Sequence, residues 1–245
     1  MGKVQPKAAD TPSPDTAAFV HEKVLSLLSR SPSTILDVPS GQGAFAGMAQ
    51  KIGHNVVCGD IDTSRFRLPK TPCHVIDLNG VWPFDDESFD HVVAIEGIEH
   101  LENPWHFVRE AKRVLKDGGC LIITTPNVLT IKSRLSYLLY GYPNYFHYMV
   151  EPNHLFGGEN PIDHINPISF LELRHVLIRN GLQIEVTDTN RYVNTGSILS
   201  QLLKVLIRQR GKTHVKNDAV KTSVRNTLLS PTLLFGEVLI IRARK

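Results

Sequence analysis

Long hydrophobic runs, paired cysteines and an apolar leader are all missing from this sequence. No uninterrupted apolar run approaches the ~18 residues that cross a bilayer, so we expect no membrane-spanning helix. The first residues lack the apolar core of a secretory signal. The 3 cysteines form no CxxC pair, which is typical of free thiols in a reducing compartment. We therefore expect a cytoplasmic protein.

Acidic residues are scarce in the last quarter of the chain. Residues 191–245 contain 11 Lys/Arg and 2 Asp/Glu, whereas residues 1–190 contain 16 and 22, and the whole chain carries a net charge of +3. A basic end on an acidic body suggests something anionic near that end, but not a nucleic-acid-binding protein. With 42% hydrophobic residues over 245 positions, we expect one domain over residues 16–245, preceded by a mobile tail over residues 1–15.

Short apolar runs alternate with amphipathic segments along most of the chain. This alternation predicts a mostly parallel sheet with helices on both faces. The expected strands are 34–38, 55–60, 73–77, 89–96, 120–125, 182–187 and 233–242. Apolar residues recur at helical spacing from Asp15 to Arg30, and further helices are expected over 44–52, 104–115 and 169–180.

An acidic residue ends four of the expected strands: Asp37, Asp60, Asp77 and Glu96. The carboxyl ends of parallel strands meet at one edge of a sheet, and ligands bind there where the strand order reverses. If a nucleoside lies across this edge, Asp60 can accept both ribose hydroxyl protons and Asp77 can accept an adenine amino proton. The alternative for Asp60 is a solvated acid at a strand end.

Two glycines, Gly41 and Gly43, follow the first expected strand. They allow the backbone to approach a ligand where a Cβ atom would collide, and the helix behind them offers unpaired N–H groups. The same spacing also fits the fingerprint of NAD enzymes, or simply a tight turn.

Several segments resemble motifs of Rossmann-like (class I) S-adenosylmethionine-dependent methyltransferases: 35–43, 59–62, 76–79, 83–90, 115–119, 125–127, 164–167 and 96–104. The last is similar to the ExxEH segment of a branch that includes ubiquinone-biosynthesis O-methyltransferases and glycan- or lipid-modifying enzymes. The resemblance implies an α/β fold with a seven-stranded, mostly parallel sheet, helices on both faces and an antiparallel last strand. It also implies S-adenosylmethionine as the methyl donor.

The resemblance implies which residues bind this cofactor: Asp37, Pro39, Gly41, Gly43, Asp60, Ile61, Asp77, Leu78 and Glu96. Pro39 departs from the family, which commonly has glycine at this position. Proline fixes φ at about −65° and has no N–H, so the loop forms where neither a positive φ nor a donor is needed.

The candidate catalytic residues are Glu96, Glu99 and His100, whose spacing places them on one face of a helical turn. Methyl transfer from a sulfonium is an in-line displacement, so the enzyme positions the acceptor and takes its proton. Imidazole titrates near neutrality, and we therefore expect His100 to accept the proton, with Glu96 or Glu99 beside it. Two alternatives are a divalent metal site, as associated with the resembled ubiquinone-pathway enzymes, and a helix cap formed by Glu99 and His100. We assign no metal.

Two further segments are expected to surround the acceptor. Residues 126–167 are rich in aromatics and histidine and read as a substrate or lid loop, in which His147, His154 and His164 are structural or shape the substrate. Residues 194–231 form a basic insertion. Its 196–217 part has an amphipathic pattern that suits peripheral membrane contact, a packed helix, a pocket cover or a dimer partner.

The sequence therefore predicts an S-adenosylmethionine-dependent methyltransferase acting on oxygen of a small-molecule, glycan or lipid-linked acceptor, without a nucleic-acid partner. Peripheral association with the inner face of a membrane is compatible with this interpretation, and the oligomeric state is left open. One alternative is an NAD-dependent oxidoreductase. The other is a non-enzymatic binding protein on a degenerate methyltransferase fold.

Overall fold

The computed structural model describes residues 12–146, 164–193, 195, 201–202, 205 and 218–245. The strands are β1 (Thr34–Asp37), β2 (Asn55–Asp60), β3 (Cys73–Val75), β4 (Phe89–Ala94), β5 (Leu115–Pro126), β6 (Gln183–Thr189) and β7 (Val238–Arg244). The helices are α1 (Val20–Leu25), α2 (Ala44–Lys51), α3 (Pro104–Val114), α4 (Ile131–Tyr140), α5 (Phe170–Arg179), α6 (Asp218–Leu228) and α7 (Pro231–Phe235). Short 3₁₀ turns cover Thr63–Arg65 and Ile98–His100.

The strands form one seven-stranded sheet in the order β3-β2-β1-β4-β5-β7-β6. Neighbours from β3 to β5 pair in parallel, whereas β7 is antiparallel to both β5 and β6. The predicted fold class and the antiparallel last strand are therefore confirmed. The strand order reverses between β1 and β4, because the chain fills the sheet outward from β1 to β3 and then returns to the middle.

Apolar side chains alternate between the two faces of the central strands, and helices cover both faces. In β4, Val92 and Ala94 pack into one apolar cluster, while Val93 packs into the other. The first cluster is covered by α3 and α5, and the second by α1 and α2. This two-sided burial explains why the strands read as nearly continuous apolar runs.

Helix α3 shows how local sequence sets the element bounds. The Asn103 side chain accepts a hydrogen bond from the His106 N–H at 3.0 Å, and Pro104 occupies the first helical position. Buried residues then recur at helical spacing: Pro104, Phe107, Val108, Ala111 and Val114. Helix α5 begins in the same way at Ser169, whose side chain accepts from the Glu172 N–H.

Several predicted bounds were wrong. The helix expected from Asp15 to Arg30 is regular only over α1, since Phe19 before it has a φ of 67° and turns follow it. The strands expected to end at Asp77 and Glu96 end two residues earlier, at Val75 and Ala94. Residues 116–119, expected as a turn, lie within β5, where its register with β4 shifts.

The start of the last strand was predicted too early, and part of the segment predicted as a loop, 126–167, is helical. Ser230 caps a short helix with Pro231 at its first position, so Leu233 is helical and the strand starts only at Val238. Within the expected loop 126–167, the Thr130 hydroxyl accepts from the Ser133 N–H and starts the ten-residue helix α4. His147, His154 and nearly all of 196–217 lie outside the described residues, so predictions about them remain predictions.

No helix in the described ranges is both long enough and apolar enough to span a bilayer. Of the predicted tail, only residues 12–15 are described. They lie against the body of the domain, where Asp15 forms an ion pair with Arg65 at 2.7 Å.

His91, in the first half of β4, is a buried imidazole far from the carboxyl end of the sheet. Burial lowers its pKa to about 4, and the positive charge of Arg242 acts in the same direction. The unfolded chain therefore binds a proton at this site between about pH 6.5 and 4, whereas the folded chain does not. This histidine thus makes the protein less stable as the pH falls through that window.

We expect His91→Gln to flatten the pH dependence of stability. The wild-type protein should lose about 2 kcal/mol more unfolding free energy between pH 7 and pH 5 than the variant does. Urea denaturation at each pH measures this difference. His175→Gln, at an exposed position, is the control, and an equal decline in wild type and His91→Gln would contradict the assignment.

Candidate functional site

A cavity of about 780 Å³ opens over the carboxyl ends of the central strands, where the strand order reverses. Nine residues predicted from the sequence line it: Asp37, Pro39, Gly41, Asp60, Ile61, Asp77, Leu78, Glu96 and His100. Gly43 and Glu99 are not among the described residues of its wall. The predicted residues are thus mostly brought together, and their roles stay predictions.

The Asp60 carboxylate joins the loops that follow β1 and β2. One oxygen accepts a hydrogen bond from the Gly41 N–H at 2.8 Å, and the other accepts from the Asp62 N–H at 3.1 Å. Gly41 has a φ of 50°, and a Cβ atom built on it would meet nothing within 4 Å. A carboxylate has about four acceptor positions, so Asp60 can also bind a ligand diol while it holds the loop.

The wall beyond β3 combines apolar and acidic groups. Ile61 is exposed although it faces the cavity, and Leu78 lies opposite among the lining residues. The Asp77 carboxylate accepts a hydrogen bond from the Asn79 N–H at 2.8 Å.

Asp37 is a buried carboxyl group at the end of β1. Burial raises its pKa well above the usual range, and the negative charge of Asp60 adds to this effect. Its Oδ2 atom has no hydrogen-bond partner among the described residues. A buried carboxyl without a full set of partners is costly, so this group marks the site as one built to interact with a ligand.

Gly43 has a packing role in addition to the one predicted. It caps α2 with a φ of 87°, and a Cβ atom there would lie 2.8 Å from Phe66 and 2.9 Å from Leu68. This glycine therefore permits the segment after the 3₁₀ turn Thr63–Arg65 to pack against α2. The predicted contact of Gly43 with the cofactor stays a prediction.

Pro39 lies beside the start of the loop after β4. A Cβ atom on Gly97 would lie 2.5 Å from Pro39 Cδ, so the proline occupies the space that Gly97 leaves open. The Val38–Pro39 peptide bond is cis. The departure from the family pattern at this position is thus accommodated by packing between two loops.

Glu96 faces the cavity at the end of β4, with a φ of 49°. Its N–H donates to the Thr124 hydroxyl at 3.0 Å, and that hydroxyl donates to the Glu96 carboxylate at 2.9 Å. Burial raises the pKa of Glu96 to about 7, and the nearby Glu237 acts in the same direction. This carboxyl can therefore exchange a proton at neutral pH.

The single helical turn expected to carry Glu96, Glu99 and His100 is not formed. Glu96 has left-handed backbone geometry, and the helical turn starts only at Ile98. Glu99 is fully buried. Burial raises the pKa of its carboxyl group well above normal, and the negative charge of Glu96 acts in the same direction. The helix-cap alternative is also wrong, because Asn103 caps α3.

His100 instead meets a residue from a distant segment. Its ring centroid lies 4.8 Å from that of His164, which also lines the cavity. The Asn166 N–H donates to the Glu99 carbonyl at 2.9 Å, which holds the two segments together. His164 Nδ1 lies 3.0 Å from the Tyr145 carbonyl, an acceptor, so this nitrogen carries the proton.

Glu99, His100 and His164 each place one ligand atom within 4.8 Å of the others. Imidazole and carboxylate donors suit a divalent cation. The set differs from the one considered from the sequence, because His164 replaces Glu96.

Other residues of the wall were missed by sequence reasoning. Ser13, Asp15 and Thr16 cover one side, and Gln42 ties this segment down by accepting from Ser13 and donating to Asp15. Glu237 precedes β7 and pairs with Arg191 at 2.6 Å. These residues come from both ends of the chain, and no local motif signals them.

The fold is that of the class I methyltransferases. A putative methyltransferase of Bacillus halodurans superposes with a TM-score of 0.60 over 92% of this chain and 98% of its own, at 19% identity. Residues 36–123 match the family model described as a methyltransferase domain.

Two relatives extend the comparison. A probable S-adenosylmethionine-dependent methyltransferase of Mycolicibacterium smegmatis is 32% identical over 176 residues, 68% of this chain and 59% of the relative. The ubiquinone biosynthesis O-methyltransferase of Caulobacter vibrioides is 27% identical over 47% of this chain and 52% of its own length. The matched region spans less than two thirds of either relative. The comparisons support the predicted enzyme class and its cofactor.

We expect Gly43→Ala to destabilise the protein more than Gly53→Ala. Both glycines have a positive φ, but a Cβ atom on Gly53 meets nothing within 4 Å. Gly53→Ala should cost about 1–2 kcal/mol for backbone strain, and Gly43→Ala at least ~1 kcal/mol more for the collision with Phe66 and Leu68. Urea denaturation of the two variants measures the difference, and equal losses would refute the packing role.

Proposed function

We propose that the protein is an S-adenosylmethionine-dependent methyltransferase that methylates an oxygen atom of a small-molecule, glycan or lipid-linked acceptor. One observation carries the proposal. One cavity at the reversal of strand order is lined both by the loop-anchoring Asp60 and by the side chains of His100 and Glu96. Donor and acceptor can therefore meet in one space.

The donor half fits a nucleoside that carries a positive charge. Acidic residues dominate the described wall (Asp15, Asp37, Asp60, Asp62, Asp77, Glu96 and Glu237), against the single guanidinium of Arg65. Asp60 would bind the ribose diol, and Ile61 and Leu78 would contact the adenine next to Asp77. The unpartnered oxygen of Asp37 would face the amino-acid part. When bound, S-adenosylmethionine supplies a methyl group that its sulfonium has already activated.

The acceptor half would hold a hydroxyl group and remove its proton. With the donor bound, the acceptor oxygen would displace the sulfur from the methyl carbon, and the His100 imidazole would accept the hydroxyl proton. Glu96, with a pKa of about 7, can share this proton. Tyr145, also in the wall, has a φ of 74°, and its carbonyl orients His164. The local backbone thus fixes the pair of histidines.

The two alternatives predict different ligands. An NAD-dependent oxidoreductase would use Asp60 in the same way but gives Glu96 and His100 no role. A non-enzymatic binding protein would keep the donor wall without turnover. The acid Asp77 and the side chains of Glu96 and His100, which line the same cavity, favour the methyltransferase.

We expect S-adenosylhomocysteine, and not NAD, to raise the melting temperature of the protein. Asp60→Ala removes an acceptor for the ribose and the anchor of the Gly41 loop, so the dissociation constant for S-adenosylhomocysteine should rise by about 10–100-fold. Calorimetric titration measures this change. Asp117→Ala, an exposed acid remote from the cavity, should bind like wild type.

Stabilisation by NAD alone would favour the oxidoreductase. Unchanged affinity of Asp60→Ala would show that the donor does not lie against this wall.

We expect His100→Ala to lower turnover by about 10²–10⁴-fold and to leave donor affinity close to wild type, because it removes a proton acceptor and not a donor contact. Transfer of a labelled methyl group to an acceptor isolated from extracts of the native host measures turnover. His175→Ala, a histidine that packs against Trp105 on α3, is the matched control. Full activity of His100→Ala would contradict the proton-acceptor role.

A further inference from the structure

The last turn of α4 projects from the body of the protein. Its first turn is anchored, since Ile131 packs with Leu234 and Phe235 of α7. The four large side chains at its other end are exposed: Tyr137, Leu138 (78%), Leu139 (68%) and Tyr140. We call these four residues the α4 tip. Exposed apolar groups of this size in one place mark an interaction surface.

The geometry of the α4 tip indicates what kind of partner it fits. Successive residues of a helix point about 100° apart, so four consecutive exposed residues cover the whole circumference. A folded protein partner covers one face of a helix and would leave the others in water. The interface of a bilayer surrounds an inserted helix end, and leucine and tyrosine are residues that such an interface accommodates.

The charged residues of α4 indicate which type of bilayer the helix would bind. Helix α4 contains no Asp or Glu, and its Lys132 is exposed. A helix that carries a cation and no acid is attracted to anionic headgroups.

We propose that the α4 tip docks on an anionic membrane surface. Pro126 precedes α4 in the sequence and Tyr145 follows it, and both residues line the cavity. Docking would therefore bring the acceptor half of the cavity next to the bilayer. The docking proposal itself does not depend on methyl transfer, because it concerns a surface outside the cavity.

Sedimentation of the full chain with lipid vesicles tests the proposal. The vesicles contain phosphatidylcholine either with phosphatidylglycerol or alone. The wild-type protein should pellet with the anionic vesicles and much less with the neutral ones. The double variant Leu138→Glu/Leu139→Glu should partition at least about tenfold more weakly. The double variant Ile52→Glu/Val81→Glu, at exposed apolar positions outside α4, should pellet like wild type.

Melting temperatures of all variants check that the fold is kept, and Lys132→Glu provides a second test that leaves the apolar residues in place. It should weaken pelleting with anionic vesicles only. The proposal is overturned if the wild-type protein stays in solution, or if the α4 variant pellets as well as wild type, which would leave residues 196–217 as the contact. A dimer that the α4 variant converts to monomer, with no vesicle binding, would assign the surface to a second copy.

Discussion

The pairing of β1 with β4 in the middle of the sheet is the constraint on which the cavity depends. Their loops leave in different directions, because β1 leads toward β2 and β4 leads toward β5. At their base the loops touch, where Pro39 fills the space beside Gly97. Above this contact they diverge, and the crevice between them is the cavity.

This arrangement concentrates carboxyl groups that the protein interior disfavours. Asp37, Glu96 and Glu99 all lie at or just beyond the carboxyl ends of β1 and β4, and burial raises the pKa of each. Two of these carboxyl groups, Asp37 and Glu99, are fully buried, and they oppose folding because each resists ionisation and lacks water. Such groups are typical of functional sites, where stability is given up for binding or proton transfer.

The parts that could be predicted from the sequence are those set by local patterns. Because the strands are buried on both faces, they appear in the sequence as apolar runs. Parallel strands bring the acidic residues at their carboxyl ends to one edge of the sheet. Asp60 and Asp77 could therefore be placed without a structure. Capping residues such as Asn103 and Ser169 fixed two helix starts in the same local way.

What could not be predicted depends on contacts between distant segments. Gly43 leaves space for Phe66, more than 20 residues away, and no local signal distinguishes this packing role from contact with a ligand. The left-handed backbone at Glu96 breaks the helical turn that was expected to carry Glu96, Glu99 and His100. Spacing alone could not reveal that break.

The two walls of the cavity also differ in whether their residues lie close together in the sequence. The donor wall comes largely from residues 37–78, a continuous stretch in which each strand supplies the next contact. The acceptor wall joins His100 to Tyr145, His164 and Glu237, which meet only in the folded chain. The methyltransferase family model matches residues 36–123, so it covers the donor wall and little of the acceptor wall. Sequence similarity therefore covers the proposed donor wall, whereas most of the proposed acceptor wall lies outside the matched region.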